Sequence, residues 1–351
     1  MSVIRFSLAK SLVGFYVCVL AACSATPVSN VEHSNNNSSQ TVAAIKNSPM
    51  LINQQLEQDL NSGLLATLQS KIDVLSIAKN LRLKHPEQFA NPLNTAKVAA
   101  DVKQQLVVGI ADISKAFSWH YMHSEVLNDN SLVAYYRIDS DAGYSYVTFW
   151  LEPESAKIYD FHSVSYAFSA LDFVGKFTQL FTDNPDAQQQ LNNVVKALQA
   201  NDSAALIKAY NTLAPEVRAN RALNDFVLRK YSQLPNGEAL GIKQILLPIL
   251  EHPDYSSLLF EAHYIQLDNL AAAIKMVKGL PLYALQDSKM QSELAILHAY
   301  NREFVPAINY GRQAIMAEPN QYEAYFVLLQ VSFLAKDYGL SRPDECTRQQ
   351  V

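Results

Sequence analysis

The apolar residues of this chain keep two different periods, and the change between them bounds the fold more tightly than any other feature. Across residues 49–84, Leu56, Leu60, Leu64, Leu68, Ile72 and Leu75 recur at steps of three or four, which places them on one face of a helix. Gly63 falls inside this run as an interruption, and His85-Pro86 stops it. A second helical run from Ala96 to about Phe117 keeps Val98, Val102, Leu106, Val107, Ile110 and Ile113 on a face. The period then changes. Residues 117–126, 132–139, 144–152 and 156–164 are rich in Tyr, Phe, Trp and Val, and LNDN, SDAG and PES between them are turn material. Four short strands joined this tightly predict an antiparallel meander. Residues 166–181 read as helix, and after Asp183-Asn184-Pro185 the helical period runs to the end. The expected class is an α+β domain, helices plus a four-stranded meander, followed by an all-α region.

Composition agrees with a helix-rich globular chain. There are 10 glycines in 351 residues, where average usage would give about 25. At roughly 150 residues per domain, two domains are expected. The formal net charge is −5, with no basic stripe, so the footprint needed to bind a phosphate backbone is missing and no nucleic-acid partner is expected.

The N-terminus carries its own message. MSVIRFSLAK holds two cations and no acid, and a short apolar stretch from Leu12 to Leu20 follows. That stretch falls far short of the ~20 residues of a spanning helix and has the layout of a secretory signal. It ends in Leu20-Ala21-Ala22-Cys23, which resembles the lipobox of bacterial lipoproteins. The resemblance implies cleavage before Cys23, diacylglycerol on its sulfur and palmitate-type acylation. Ser24, in the place where Asp would retain a lipoprotein in the inner membrane, implies the outer membrane facing the periplasm. Multiple acyl chains on one cysteine give stable anchoring. Residues 24–48 are rich in Ser, Asn and Thr, too polar to fold, and read as a tether. Cys18 goes with the signal and Cys23 with the lipid, so Cys346 is left without a disulfide partner. The expected divisions are a signal peptide at 1–22, a tether at 23–48, an α+β domain at 49–183 and a helical repeat domain at 184–351.

The helices after residue 184 come in pairs: 187–200 with 203–213, 217–233 with 238–251, 256–267 with 269–279, 288–301 with 303–317, and 322–335 onward. Leu294-Ala295, Phe304, Ala307, Ala314 and Pro319 have tetratricopeptide spacing. Thirty-four residues on, Leu328-Leu329 and Tyr338 answer the first of them, and thirty-four back, Asn269 to Ile274 answer Glu303 to Ile308. This region resembles tetratricopeptide repeats, which implies a stack of helical hairpins with a concave protein-binding surface. It departs at Gln291, where an aromatic is usual, and residues 185–251 fit only as generic hairpins. The final repeat reads as incomplete, because Pro343 and Arg348 stand where its second helix should continue. That end is expected to be cut short or frame-shifted, leaving Phe326 and Leu329 exposed or buried in an oligomer. The order of long helix and curved sheet in the first domain resembles cystatin-like or NTF2-like α+β folds.

Chemistry is sparse. No GxSxG, HExxH, P-loop, GxGxxG or CxxC motif is present, so no catalytic residue, cofactor or metal site is expected. His120-x-x-His123 lies in a strand-like run, where residues three apart face opposite sides. Asp160 and His162 share a strand face, and Arg137 and Asp139 share another. A carboxylate beside an imidazole could orient a general base, and ordinary ion pairs are the other reading. The dense aromatics, Tyr135, Tyr136, Tyr146, Phe149 and Phe161 among them, form either core or the lining of a cavity. Two functions stay open. One is an envelope lipoprotein that binds a protein or peptide partner, with Glu293, His298 and Gln330 as binding candidates on the first helices of the hairpins. The alternative is small-molecule binding or hydrolysis in the aromatic-rich domain.

Overall fold

The computed structural model describes residues 49–128, 131–140, 143–153, 155–165, 168–184, 186–200, 202–231, 258–266 and 268–335. The signal, lipobox and tether (1–48), the helix expected at 238–251 and the tail (336–351) lie outside them. The described residues make a mixed α+β structure: one four-stranded antiparallel sheet and many helices. The chain separates into two compact units at residues 250/251, later than the division at 184 read from the sequence. The helices of 186–231 group with the sheet, through contacts such as Asn220 Nδ2 donating to Lys176 O at 3.4 Å.

In the first unit the predicted helix of 49–84 is three helices: α1 (Pro49–Ser62), α2 (Leu65–Lys71) and α3 (Val74–Lys84). Gly63, at φ +63°, breaks the chain after α1. Ile72 leaves α2 to bridge Ile158, and Asp73 caps α3 by accepting from the Ser76 amide. Each break resets the phase of the apolar face. Leu56, Leu60, Leu68 and Ile72 are buried, but Leu64 and Leu75 are 60% and 76% exposed. The long helix α4 (Pro92–Ala116) begins at an Asn91 cap with Pro92 in the first turn, and buries Val102, Leu106, Val107, Ile110 and Ile113 as expected.

The strands are β1 (Ser118–Val126), β2 (Leu132–Ser140), β3 (Gly143–Leu151) and β4 (Ile158–Ser163), in the order β1-β2-β3-β4. Alternation puts Trp119, Tyr136, Phe149 and Phe161 into the core, where they pack on one another at centroid distances of 5.5–6.2 Å. The Trp119 indole donates to Ser114 Oγ of α4 at 3.0 Å, and the Tyr136 hydroxyl donates to Asn53 O of α1 at 3.0 Å. One expectation is corrected here. A bulge between Tyr121 and His123 shifts the register, so His120 opposes Arg137 and His123 opposes Tyr135. Arg137 and Tyr135 are two apart, so the two histidines share a face. Among the described residues no group of three metal-ligating side chains forms around them.

The helix predicted at 166–181 is α5 (Ala170–Asp183), which starts later because Ser169 caps it. Then follow α6 (Ala187–Gln199), α7 (Ser203–Asn211), α8 (Pro215–Arg218) and α9 (Arg221–Tyr231). Gly175 of α5 lies flat against the His85 ring, and a Cβ there would sit 2.2 Å from it.

The second unit holds α10 (Leu258–Gln266), α11 (Leu270–Lys278), the short α12 (Leu282–Leu285), α13 (Ser288–Tyr300), α14 (Phe304–Ala317) and α15 (Tyr322–Leu334). The sequence did not show α12. The turns closing α10 and α13 match bond for bond. Asn269 N donates to Tyr264 O (2.9 Å) and Asp268 N to Ile265 O (3.1 Å); Glu303 N donates to His298 O (2.8 Å) and Arg302 N to Ala299 O (3.0 Å). Asp268 and Arg302 both take positive φ, 56° and 63°, the left-handed residue of a Schellman cap. Ala295, Ala299, Ala307, Ile308, Val327 and Val331 form the joint of α13, α14 and α15. Gly311 lets the Leu328 side chain of α15 approach closely.

Candidate functional site

In the sheet unit, polar chemistry gathers where the end of α3, β4 and the start of α5 meet. Asp160 is fully buried, not on an open sheet face, and four donors hold its carboxylate. Lys84 Nζ (3.0 Å) and Ser169 Oγ (2.9 Å) reach Oδ2, and the amides of Leu171 (3.0 Å) and Phe161 (2.8 Å) reach Oδ1. Lys84 also lies 3.6 Å from Asp172 Oδ1 and 5.7 Å from the Trp150 ring centroid. His85 Nε2 stands 3.7 Å from Asp172 Oδ1. Burial pushes the Lys84 ammonium down, but the charges of Asp160 and Asp172 outweigh it and hold it above the usual lysine value. Burial pushes the Asp172 carboxyl up, but His85, Lys84 and Ser169 together bring it down to about 2.

Of this cluster Asp160 stood out in the sequence, and Lys84, Ser169 and Asp172 did not. One signal was legible: Ser169-x-x-Asp172 is a capping-box pattern. The cluster ties three elements together and leaves Asp160 no free lone-pair direction for a substrate proton. His162, two residues along and half-buried, opposes Thr148. Arg137 and Asp139 pair at 2.9 Å, with His120 3.4 Å from the same carboxylate oxygen.

The folded Asp172 pKa lies below its unfolded value near 3.8, so the stability it contributes is present above about pH 4. It is lost as pH falls toward 2. Urea midpoints measured from pH 5 to pH 2 should fall steeply below pH 4, and Asp172→Asn should flatten that limb. An unchanged limb in the variant would show that Asp172 adds nothing.

The predicted binding residues of the second unit are not alike. Glu293 is half-buried on α13. Gln330 on α15 is half-buried and donates through Nε2 to the Tyr300 hydroxyl at 3.3 Å. His298 is only 3% exposed and packs inside the unit. Its ring stacks on Tyr310 at 5.2 Å and 15°, Lys278 Nζ lies 5.6 Å from the Tyr310 ring centroid, and Nδ1 hydrogen-bonds Glu303. Burial pushes the imidazole below its usual pKa, against the pull of Glu303. His298 therefore serves the joint between α13 and α14.

An open groove of about 450 Å³ runs between α6 and α7, lined by Asn193, Lys196, Asp202, Lys208 and Thr212 over an alanine floor. Its size suits a small ligand, but its charged groups are ordinary helix-surface side chains. Among the described residues, no helix is long and apolar enough to cross a membrane. No family model matches this chain, and neither does any curated protein or solved structure.

Proposed function

We propose that this chain is a lipid-anchored protein of the bacterial envelope, carried on the outer membrane and facing the periplasm. Stacked helical hairpins of tetratricopeptide type hold a protein or peptide partner. The observation that carries the repeat reading is the Schellman turn at Asp268 and again, thirty-four residues on, at Arg302. A unit that repeats its closing hydrogen bonds at that period stacks neighbour on neighbour and leaves a continuous surface for a partner. The anchor reading rests on Leu20-Ala21-Ala22-Cys23. Hydrolysis in the sheet unit is the weaker reading, because Asp160 is committed to Lys84 and the start of α5.

One paired experiment tests both halves. In the full chain Cys23→Ser should release an unlipidated species from membranes, with the acyl mass lost from the N-terminal peptide. Deleting residues 288–335 should abolish partner recovery after crosslinking. An unmodified Cys23 in membrane-bound protein would overturn the anchor, and partner recovery that survives the deletion would overturn the scaffold.

A further inference from the structure

Helix α15 is apolar on all sides. Its thirteen residues, YEAYFVLLQVSFL, hold one charge, Glu323. A helix of that composition is normally covered on every side, yet among the described residues only one side is covered. Ala324, Val327 and Val331 are buried against α13 and α14, while Tyr322, Tyr325, Phe326 and Leu329 are 81%, 48%, 70% and 45% exposed. These four fall at i, i+3, i+4 and i+7, a single stripe along the helix.

The helix thirty-four residues earlier shows what such a stripe meets. The matching positions of α13 are Ser288, Gln291, Ser292 and Ala295, all buried. Gln291 turns to the Leu285 carbonyl at the end of α12, while the small residues at the two ends let α14 come close: Ser288 Oγ donates to Ala314 O at 2.9 Å, and Ala295 packs with Ala307 and Ile308. On α15 three of the four positions carry an aromatic ring and the fourth a leucine. A second helix seated as α14 is seated would collide with them, so the stripe is not shaped for a hairpin partner of its own.

We propose that the stripe docks on the same stripe of a second copy of this chain, α15 against α15 across a two-fold axis. An uncharged face is self-complementary, as such an interface requires. With a buried aromatic side chain contributing roughly 150–250 Å², the four residues offer on the order of 500 Å² per copy. Two copies bury about 1,000 Å², the lower bound of a specific interface. A lipid surface fits less well. The stretch 258–335 has five Lys and Arg against seven Asp and Glu, and none of the five lies on α15, so nothing draws the stripe toward anionic headgroups. The stacking of hairpins belongs to the proposed function, but this interface needs only α15.

The test uses the full chain in intact cells, co-expressed with two different tags. A photo-crosslinking phenylalanine replaces Phe326, or Leu93 of α4 as an exposed control. Irradiation at position 326 should give one band of twice the chain mass that carries both tags, and position 93 should give none. Leu329→Asp in the partner copy should cut that band at least fivefold, with protease resistance of the uncrosslinked chain unchanged. A 326 band carrying one tag, a lipid adduct, an intrachain product or no band would each overturn the dimer. Partner recovery in the deletion experiment is read separately, so failure here and failure of the scaffold are distinguishable.

Discussion

Replacing Asp160 with alanine should destabilise the sheet unit by about 3–5 kcal/mol, because it leaves buried donors without their acceptor and takes the closer counter-charge from Lys84. Lys84, whose side chain is one-third exposed, would keep only Asp172 at 3.6 Å. The amides of Leu171 and Phe161 and the Ser169 hydroxyl would lose their acceptor as well. Urea unfolding should show a lowered midpoint at unchanged slope. Lys84→Met combined with Asp160→Leu should recover only the part due to the unpaired ammonium, since the amides of Leu171 and Phe161 and the Ser169 hydroxyl still lack their acceptor. A single variant within 1 kcal/mol of the parent would show that the carboxylate holds nothing together.

Trp119→Ala should be equally severe, at roughly 3–5 kcal/mol for a buried aromatic removed from a packed core. Its ring stacks on Phe149 at 5.7 Å and meets Tyr136 edge-on at 6.2 Å. The substitution opens a cavity beside Tyr136 and Phe149 and takes the indole donor from Ser114 Oγ, which keeps only its bond to Ile110 O. Trp119→Phe should lose far less, because the stack survives and only the indole hydrogen bond goes. The chain has two tryptophans, so Trp150 remains as the fluorescence reporter of unfolding in both variants. Equal midpoints for Phe and Ala would show that the ring contributes no packing.

The strands were legible almost to the residue. Aromatic and β-branched runs between Asp, Asn, Gly and Pro turns leave few alternatives, and the observed bounds differ from the expected ones by one or two positions. The breaks in the first helical run were less legible. Period alone placed Leu64 and Leu75 on the same face as Leu60, but Gly63 and the Asp73 cap each turn the chain before the next helix starts. The face shared by His120 and His123 depends on a bulge, which an unbroken run of strand-forming residues hides. The ion-pair cluster was hidden for a different reason. Lys84 and Asp160 are 76 residues apart, and no local pattern records which lysine a buried aspartate will find. His298 looked like a polar position on a repeat helix, but Tyr310 and Glu303 fold it inward. The exposed stripe on α15 could be anticipated only in part, as an expectation for Phe326 and Leu329; Tyr322 and Tyr325 join it through the phase of the helix.

The polar ties that fasten α1 to the sheet have a consequence in time. Asn61 exchanges hydrogen bonds with the Trp119 backbone across 58 residues, and Asn53 O waits for a Tyr136 hydroxyl 83 residues downstream. A ribosome adding roughly 5–20 residues per second delivers those partners several seconds to more than ten seconds after α1 has emerged. Through that interval Leu56 and Leu60 have no sheet to cover them, and closing loops of this length adds its own entropy. These ties cannot form until β1 and β2 have been made, so the earliest-made helix of this unit is not fastened until then. A chain delayed at that stage presents the apolar face of a helix to whatever holdase stands nearby.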